Sequence, residues 1–325
     1  MSYVLGVVLL ACVTALACAL PGVFVVLRKT SMVVDGIAHA VLPGIIVGFW
    51  LTHDLDSPVL ILGAALAGLL VVLGNEWLSD TGLLAGDAPQ GLIFPALFAG
   101  GIILVSMDLQ NAHLDTNAVL VGDLNLAVFP ALIVNGVNIG PRYLYTMLGV
   151  LVLNAAFIAA FYKQLKLTTF DREFAAVLGL RARRLNTAFM FLVSMTVVAA
   201  FKAVGAILVI SLLVVPAATA QLISKRLSVM IGLTALFAVA GAFVGFWIAY
   251  VLNTGTSAAM AVFYGVLFVA VAVLDALATR RRRRRSDVGA VAPGAPPAGP
   301  IAGRWLGDQG APASPRDPGD LSGPR

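Results

Sequence analysis

An all-α membrane protein is what this sequence predicts: a polytopic bundle of about nine transmembrane helices, with one broken or re-entrant segment and one helix lying outside the bilayer. Three observations predict it. Of 325 residues, 60% are hydrophobic and only 11% are charged, whereas a soluble domain carries roughly a quarter of its residues charged to wet its surface. The mean hydropathy is +0.98. Apolar stretches of about 20 residues, the length that crosses a bilayer as a helix, recur from one end of the chain to residue 277. This composition excludes a coiled coil, a secreted disulfide scaffold and disorder through the body of the chain.

In order, the stretches fall at 3–27, 32–51, 58–74, 89–106, 143–162, 186–201, 203–222, 228–252 and 256–277. The first begins without a basic region, and apolar sequence runs to Leu27 before Arg28 and Lys29 arrive. That pattern reads as a retained span and not as a cleaved signal peptide. Cys12 and Cys18, six residues apart, fall on different faces of it and read as packing residues. A further stretch, 117–135, holds Asp123, Asn125 and Pro130 and is read as broken or re-entrant, covered by its neighbours. Small residues at four-residue spacing, Gly63/Ala67, Ala64/Gly68 and Gly241/Gly245 among them, allow close helix approach.

Basic residues set the orientation, because Lys and Arg concentrate in cytoplasmic loops. Arg28/Lys29, the set from Lys163 to Arg184, Lys225/Arg226 and the run Arg280 to Arg285 are all expected inside. The N-terminus then lies outside and the C-terminus in the cytoplasm; Arg142 falls on the wrong side. The domain division is a membrane domain over 1–279, including a cytoplasmic segment at 163–185, and a basic run with a tail over 280–325. Residues 286–325 contain eight Pro and eight Gly with few large apolar side chains, too little to bury for a fold. The arginines before the tail suit a topology anchor against membrane lipid. The pI of 9.5 thus reflects an inner membrane face and not nucleic acid.

Charged groups within a span are costly and mark function by default. In the second span Asp35 and His39 stand at i and i+4, which puts carboxylate and imidazole on one helical face. Together they make half of a site for a divalent first-row metal. An Asp–His pair locking two helices and, after it, a proton relay are also compatible with the spacing. Pro43 and Gly44 follow within a turn, where a kink or opening would free carbonyls toward a cavity. His53 and His113, with Asp54, Asp56, Asp108 and Asp115, belong to outer loops; Glu76, Asp80 and Asp87 are assigned to an inner loop without chemistry. No metalloprotease, serine-hydrolase or CxxC motif occurs, and no phosphate-binding loop, so the chain is read as non-catalytic and any ATP must bind a separate subunit.

Four stretches resemble the permease subunits of the ABC importers for manganese, zinc and iron: LRKTSMVVDGIAHAVLPG (27–44), DAPQGLIFPALFAGGIILVS (87–106) followed by HLD at 113–115, LKLTTFDREFAAVLGL (165–180) and AVGAILVISLLVVPAATAQL (203–222). They occur in family order within about 3–277. The resemblance implies that Asp35 and His39 belong to the intramembrane metal site. It also implies that the segment before AVLGL is a coupling helix docking on the ATPase through Thr169, Phe170, Asp171, Glu173 and Phe174. The partners implied are a second copy of the chain, an ATP-binding subunit and an external metal-binding protein, in the cytoplasmic (inner) membrane. No permanently bound cofactor is implied; the metal is cargo, and HLD leans it toward Mn2+ or Fe2+ ahead of Zn2+. A proton-coupled secondary metal transporter is the rival. NTGTSAAMAVFYG (253–265) departs from the proline-rich stretch of that family.

Overall fold

The computed structural model describes residues 3–52, 58–84, 88–108, 124–134 and 137–289. Two compact units divide the chain, Met1–Ala278 and Thr279–Arg325. The first contains everything discussed below. Within the second the described residues are helical to Gly289; the tail at 290–325, the loops with His53, Asp54, Asp56, His113 and Asp115, and Asp87 and Asp123 lie outside the described residues.

The helices follow the apolar stretches closely. They are α1 (Tyr3–Leu27), α2 (Ser31–Thr52), α3 (Pro58–Asp80), α4 (Ala88–Asp108), α5 (Arg142–Ala160), α6 (Tyr162–Phe170), α7 (Arg172–Val177), α8 (Ala182–Ile223), α9 (Leu227–Leu252) and α10 (Thr256–Gly289). Seven are long and apolar enough to cross a membrane; α4 offers a shorter apolar window over Ala88–Leu104. α1 is the central post. Val7, Leu10, Phe24 and Val25 are fully buried against α5, α8 and α9. α8 is the most enclosed span, 67% buried, and α10 the least, at 17%, as suits a helix whose outer face meets lipid.

Three expectations are corrected. The inner loop assigned to Glu76 and Asp80 is helix, because α3 continues to Asp80 and its last turns are tied down by Asn186 and Arg183. The described part of 117–135 is no transmembrane or re-entrant helix: a single 3-10 turn at Leu126–Val128 leads into strand β1 (Ala131–Val134). That strand pairs antiparallel with β2 (Val137–Pro141), with a register shift at Leu132/Ile133. Pro130 explains this, since it ends the turn and its carbonyl accepts the Arg142 N–H at 2.8 Å where α5 starts. The third concerns Pro43: α2 does not open there but stays helical to Thr52, although the missing proline N–H releases the His39 carbonyl from the ladder.

Residues 186–201 and 203–222 form one hydrogen-bonded segment, α8, interrupted at Gly205, whose φ of 77° and ψ of 166° only glycine adopts freely. A straight helix of 42 residues would extend about 63 Å. Yet Asn186, near its start, shares Arg28 with Thr168 and Thr169 of α6, and Lys225 and Arg226, just past its end, share a pocket with Tyr162, Lys166 and Phe170 of the same helix. A nine-residue α6 is only about 14 Å long. α8 therefore folds back on itself at Gly205.

Two ends of the bundle result. One gathers Arg28, Lys166, Arg183, Lys225 and Arg226 around α6. At the other, the Tyr3 hydroxyl donates to the Asn125 carbonyl at 3.3 Å, Asn125 Nδ2 donates to Thr256 Oγ1 at 3.1 Å, and Val128 packs on Gly6. Arg142 is at this second end, where the Tyr143 hydroxyl also donates to the Ala199 carbonyl near Lys202 and the fold-back of α8. α9 closes there with Asn253 in the left-handed conformation, φ 51°, which makes the turn of the TGT stretch. Between the ends, α2 and α3 touch backbone to backbone: a Cβ on Gly44 would stand 2.5 Å from the Gly63 carbonyl oxygen and from Ala64 Cα.

Candidate metal site and partner-docking segment

Asp35 and His39 lie one helical turn apart on α2, beginning about 6 Å above its first residue. His39 Nε2 is 3.6 Å from Asp35 Oδ1, too far for a hydrogen bond. Two ligands held about 2.1 Å from one ion at a tetrahedral angle stand about 3.4 Å apart, close to the separation of this pair. Both side chains keep an open side, 31% exposed for His39 and 44% for Asp35. Phe94 and Phe98, on one face of α4, flank the imidazole with ring centroids 5.3 and 5.9 Å away and restrict its tilt. Among the described residues no third His, Cys, Asp or Glu joins the pair. Pro43 has no N–H for the His39 carbonyl four residues back, which leaves that oxygen outside the helical ladder.

The segment expected at 163–185 is two short helices and the start of α8. Asp171 separates them and caps α7, its Oδ1 accepting the Phe174 N–H at 2.9 Å. Phe170, Asp171, Glu173 and Phe174 are exposed. Thr169 is not turned outward with them: its Oγ1 accepts from Arg28 Nε at 3.0 Å and donates to the Leu165 carbonyl at 2.6 Å. Val177 and Leu178, 82% and 56% exposed, extend the apolar surface of Phe170 and Phe174. Sequence reading passed over these two, although an apolar pair in a basic extramembrane segment was the available signal.

It also passed over a polar cluster beside this segment. Arg28 NH1 donates to Asn186 Oδ1 at 2.8 Å and NH2 to Thr168 Oγ1 at 3.2 Å. Asn186 Nδ2 donates to Glu76 Oε1 at 2.6 Å, and Arg183 pairs with Asp80 at 3.2 Å and, more loosely, with Glu76 at 4.0 Å. These groups line a cavity of about 370 Å³ with Asn75 and Ser79.

The profile of the ABC 3 transport family matches residues 1–275. The chain belongs to that family. It is 42% identical over 265 residues to the zinc transport system membrane protein TroD of Treponema pallidum, covering 82% of this chain and 72% of TroD. To the manganese transport system membrane protein MntD of Bacillus subtilis it is 37% identical over 268 residues, covering 82% of this chain and 90% of MntD. Among solved structures, PsaBC from Streptococcus pneumoniae in complex with Fab is similar with a TM-score of 0.69 and 26% identity, covering 83% of this chain and 91% of that one. In this ABC 3 family chain the matched residues include both Asp35 and His39 and the whole of α6, α7 and α8; the arginine run lies beyond them.

Proposed function

We propose that this chain is the membrane-spanning permease subunit of an ATP-driven importer of divalent transition metal ions, Mn2+ first and Fe2+ or Zn2+ next. The observation that carries the reading is the Asp35/His39 pair. An oxygen and a nitrogen ligand stand 3.6 Å apart on a span, partly open and walled by Phe94 and Phe98. Membership of the ABC 3 transport family and relatives named for manganese and zinc transport support it.

One chain supplies only half of a coordination sphere. A second copy related by a two-fold axis would bring a second Asp35 and His39 to the same ion, giving two hard oxygens and two borderline nitrogens, a set that accepts Mn2+, Fe2+ or Zn2+. The ion arrives from an external binding protein. Two ATP-binding subunits dock on the exposed Phe170, Asp171, Glu173, Phe174, Val177 and Leu178 surface, with Thr169 behind it. Their closure on ATP moves α6 and α7, and the bundle exchanges outward for inward access by a bias between two states. Splitting α8 at Gly205 and counting α4 gives nine crossings. The end rich in cations then faces the cytoplasm, with the N-terminus outside.

The test is uptake of Mn2+, Fe2+ and Zn2+ into proteoliposomes holding the permease with its ATP-binding and external binding partners. ATP-dependent uptake by the wild type, lost to background in Asp35→Asn with assembly intact, is expected. Normal uptake by Asp35→Asn removes the metal-site claim, and uptake driven by a pH gradient without ATP makes the pair a proton relay.

A further inference from the structure

Lys29 and Arg28 carry the same charge at the same end of α1, and as topology anchors they are interchangeable. The structure treats them differently. Lys29 is exposed, whereas the Arg28 guanidinium is directed to three acceptors on two helices and lies over the Phe189 ring, 5.0 Å from its centroid. We infer that Arg28 is a positioning residue for transport, the joint through which displacement of α6 and α7 reaches α2 and the Asp35/His39 pair. The inference rests on the proposed importer function.

On the α6 side the acceptors are set in advance. The Thr168 hydroxyl donates to the Gln164 carbonyl at 2.9 Å and that of Thr169 to the Leu165 carbonyl at 2.6 Å. Their lone pairs are thereby left to Arg28. On the α8 side Asn186 is equally fixed, its carbonyl oxygen taken by Arg28 and its amide nitrogen by Glu76 of α3. A planar fork with several fixed donors suits this arrangement, and a single ammonium does not.

Two routes lead from the joint to α2. The first is the chain itself, because the turn after α1 is braced on both sides: Lys29 N–H donates to Val26, Thr30 N–H and Oγ1 both reach the Val25 carbonyl, and Val33 N–H returns to Thr30. Asp35 follows Arg28 by seven residues, so α2 turns with the end of α1. The second passes through Glu76 into α3, whose Gly63 and Ala64 touch Gly44 of α2. Both routes are unbroken chains of covalent bonds, hydrogen bonds and backbone contacts, the kind of contiguous network that carries coupling between sites.

The test uses the whole transporter in proteoliposomes and reads ATP hydrolysis and Mn2+ uptake together for wild type, Arg28→Lys, Thr168→Val and Lys29→Gln. In Arg28→Lys, and in Thr168→Val, which keeps Arg28, hydrolysis is expected to remain within about twofold while ions moved per ATP fall by about tenfold, the size of an ordinary coupling between sites. Lys29→Gln should leave the ratio at the wild-type value. An unchanged ratio in both the Arg28 and threonine variants overturns the inference. So does loss of the assembled complex in both, which would make the cluster a structural clamp. A wild type without ATP-driven uptake brings down the importer reading itself, a result distinct from either.

Discussion

Single polar side chains at bilayer depth govern much of this molecule, and Asn154 is the clearest after the Asp35/His39 pair. Fully buried on α5, its Nδ2 donates to the Ala17 carbonyl at 2.8 Å and to Thr196 Oγ1 at 2.9 Å, joining α1, α5 and α8 near their middles. Asn154→Leu removes those bonds while filling similar space. A loss of about 1 kcal/mol is expected, measured as a lower unfolding midpoint in detergent; an unchanged midpoint would make the bonds redundant. Asp35 and His39 were legible in the sequence because i, i+4 spacing fixes their common face without any knowledge of neighbours. Asn154 was not, since one amide in an apolar run says nothing until three helices meet around it. Phe94 and Phe98 were hidden for the same reason: their part depends on how α4 lies against α2. Glu76 was misassigned because a polar end to an apolar stretch looks like a loop unless its partners, Asn186 and Arg183, are known.

At the level of elements the apolar stretches were enough to place α1, α2, α9 and the membrane part of α10 within a residue or two, because lipid solvates only helices with every backbone group satisfied. What hydropathy did not give was geometry at the breaks. The sequence marks Lys202 as the boundary between two spans, while the turn is made three residues later at Gly205. Its φ of 77° and ψ of 166° belong to a region closed to residues with a Cβ. Gly205→Ala is expected to cost about 1–3 kcal/mol, again read as a lower unfolding midpoint. An alanine variant as stable as the parent would mean that the reversal is set elsewhere. The hairpin at 131–141 was missed because its apolar residues resemble a span, and only Pro130 signals that the chain must leave the helix.

For the molecule as a whole the sequence predicts a gathering of cations, and the structure brings most of those of the first compact unit together around α6, with Arg142 and Lys202 at the opposite end. The orientation proposed from that gathering is testable by labelling. In a background with Cys12 and Cys18 replaced by Ala, Thr254→Cys at the α9–α10 turn should react with a membrane-impermeant maleimide in intact cells, and Ser228→Cys only after lysis. The reverse pattern would invert the protein. Partner geometry was not legible at this scale, because the Asp35/His39 pair on one chain contains no record of the two-fold axis proposed to complete it. The fold-back of α8 also bears on how the protein is made. A hairpin with no loop between its arms gives the insertion machinery no place to pause, and Lys202 near its tip must cross hydrocarbon at a cost of a few kcal/mol, which two apolar arms entering together offset better than one. Residues 182–223 therefore enter the bilayer as one unit, and biogenesis commits to both arms or to neither.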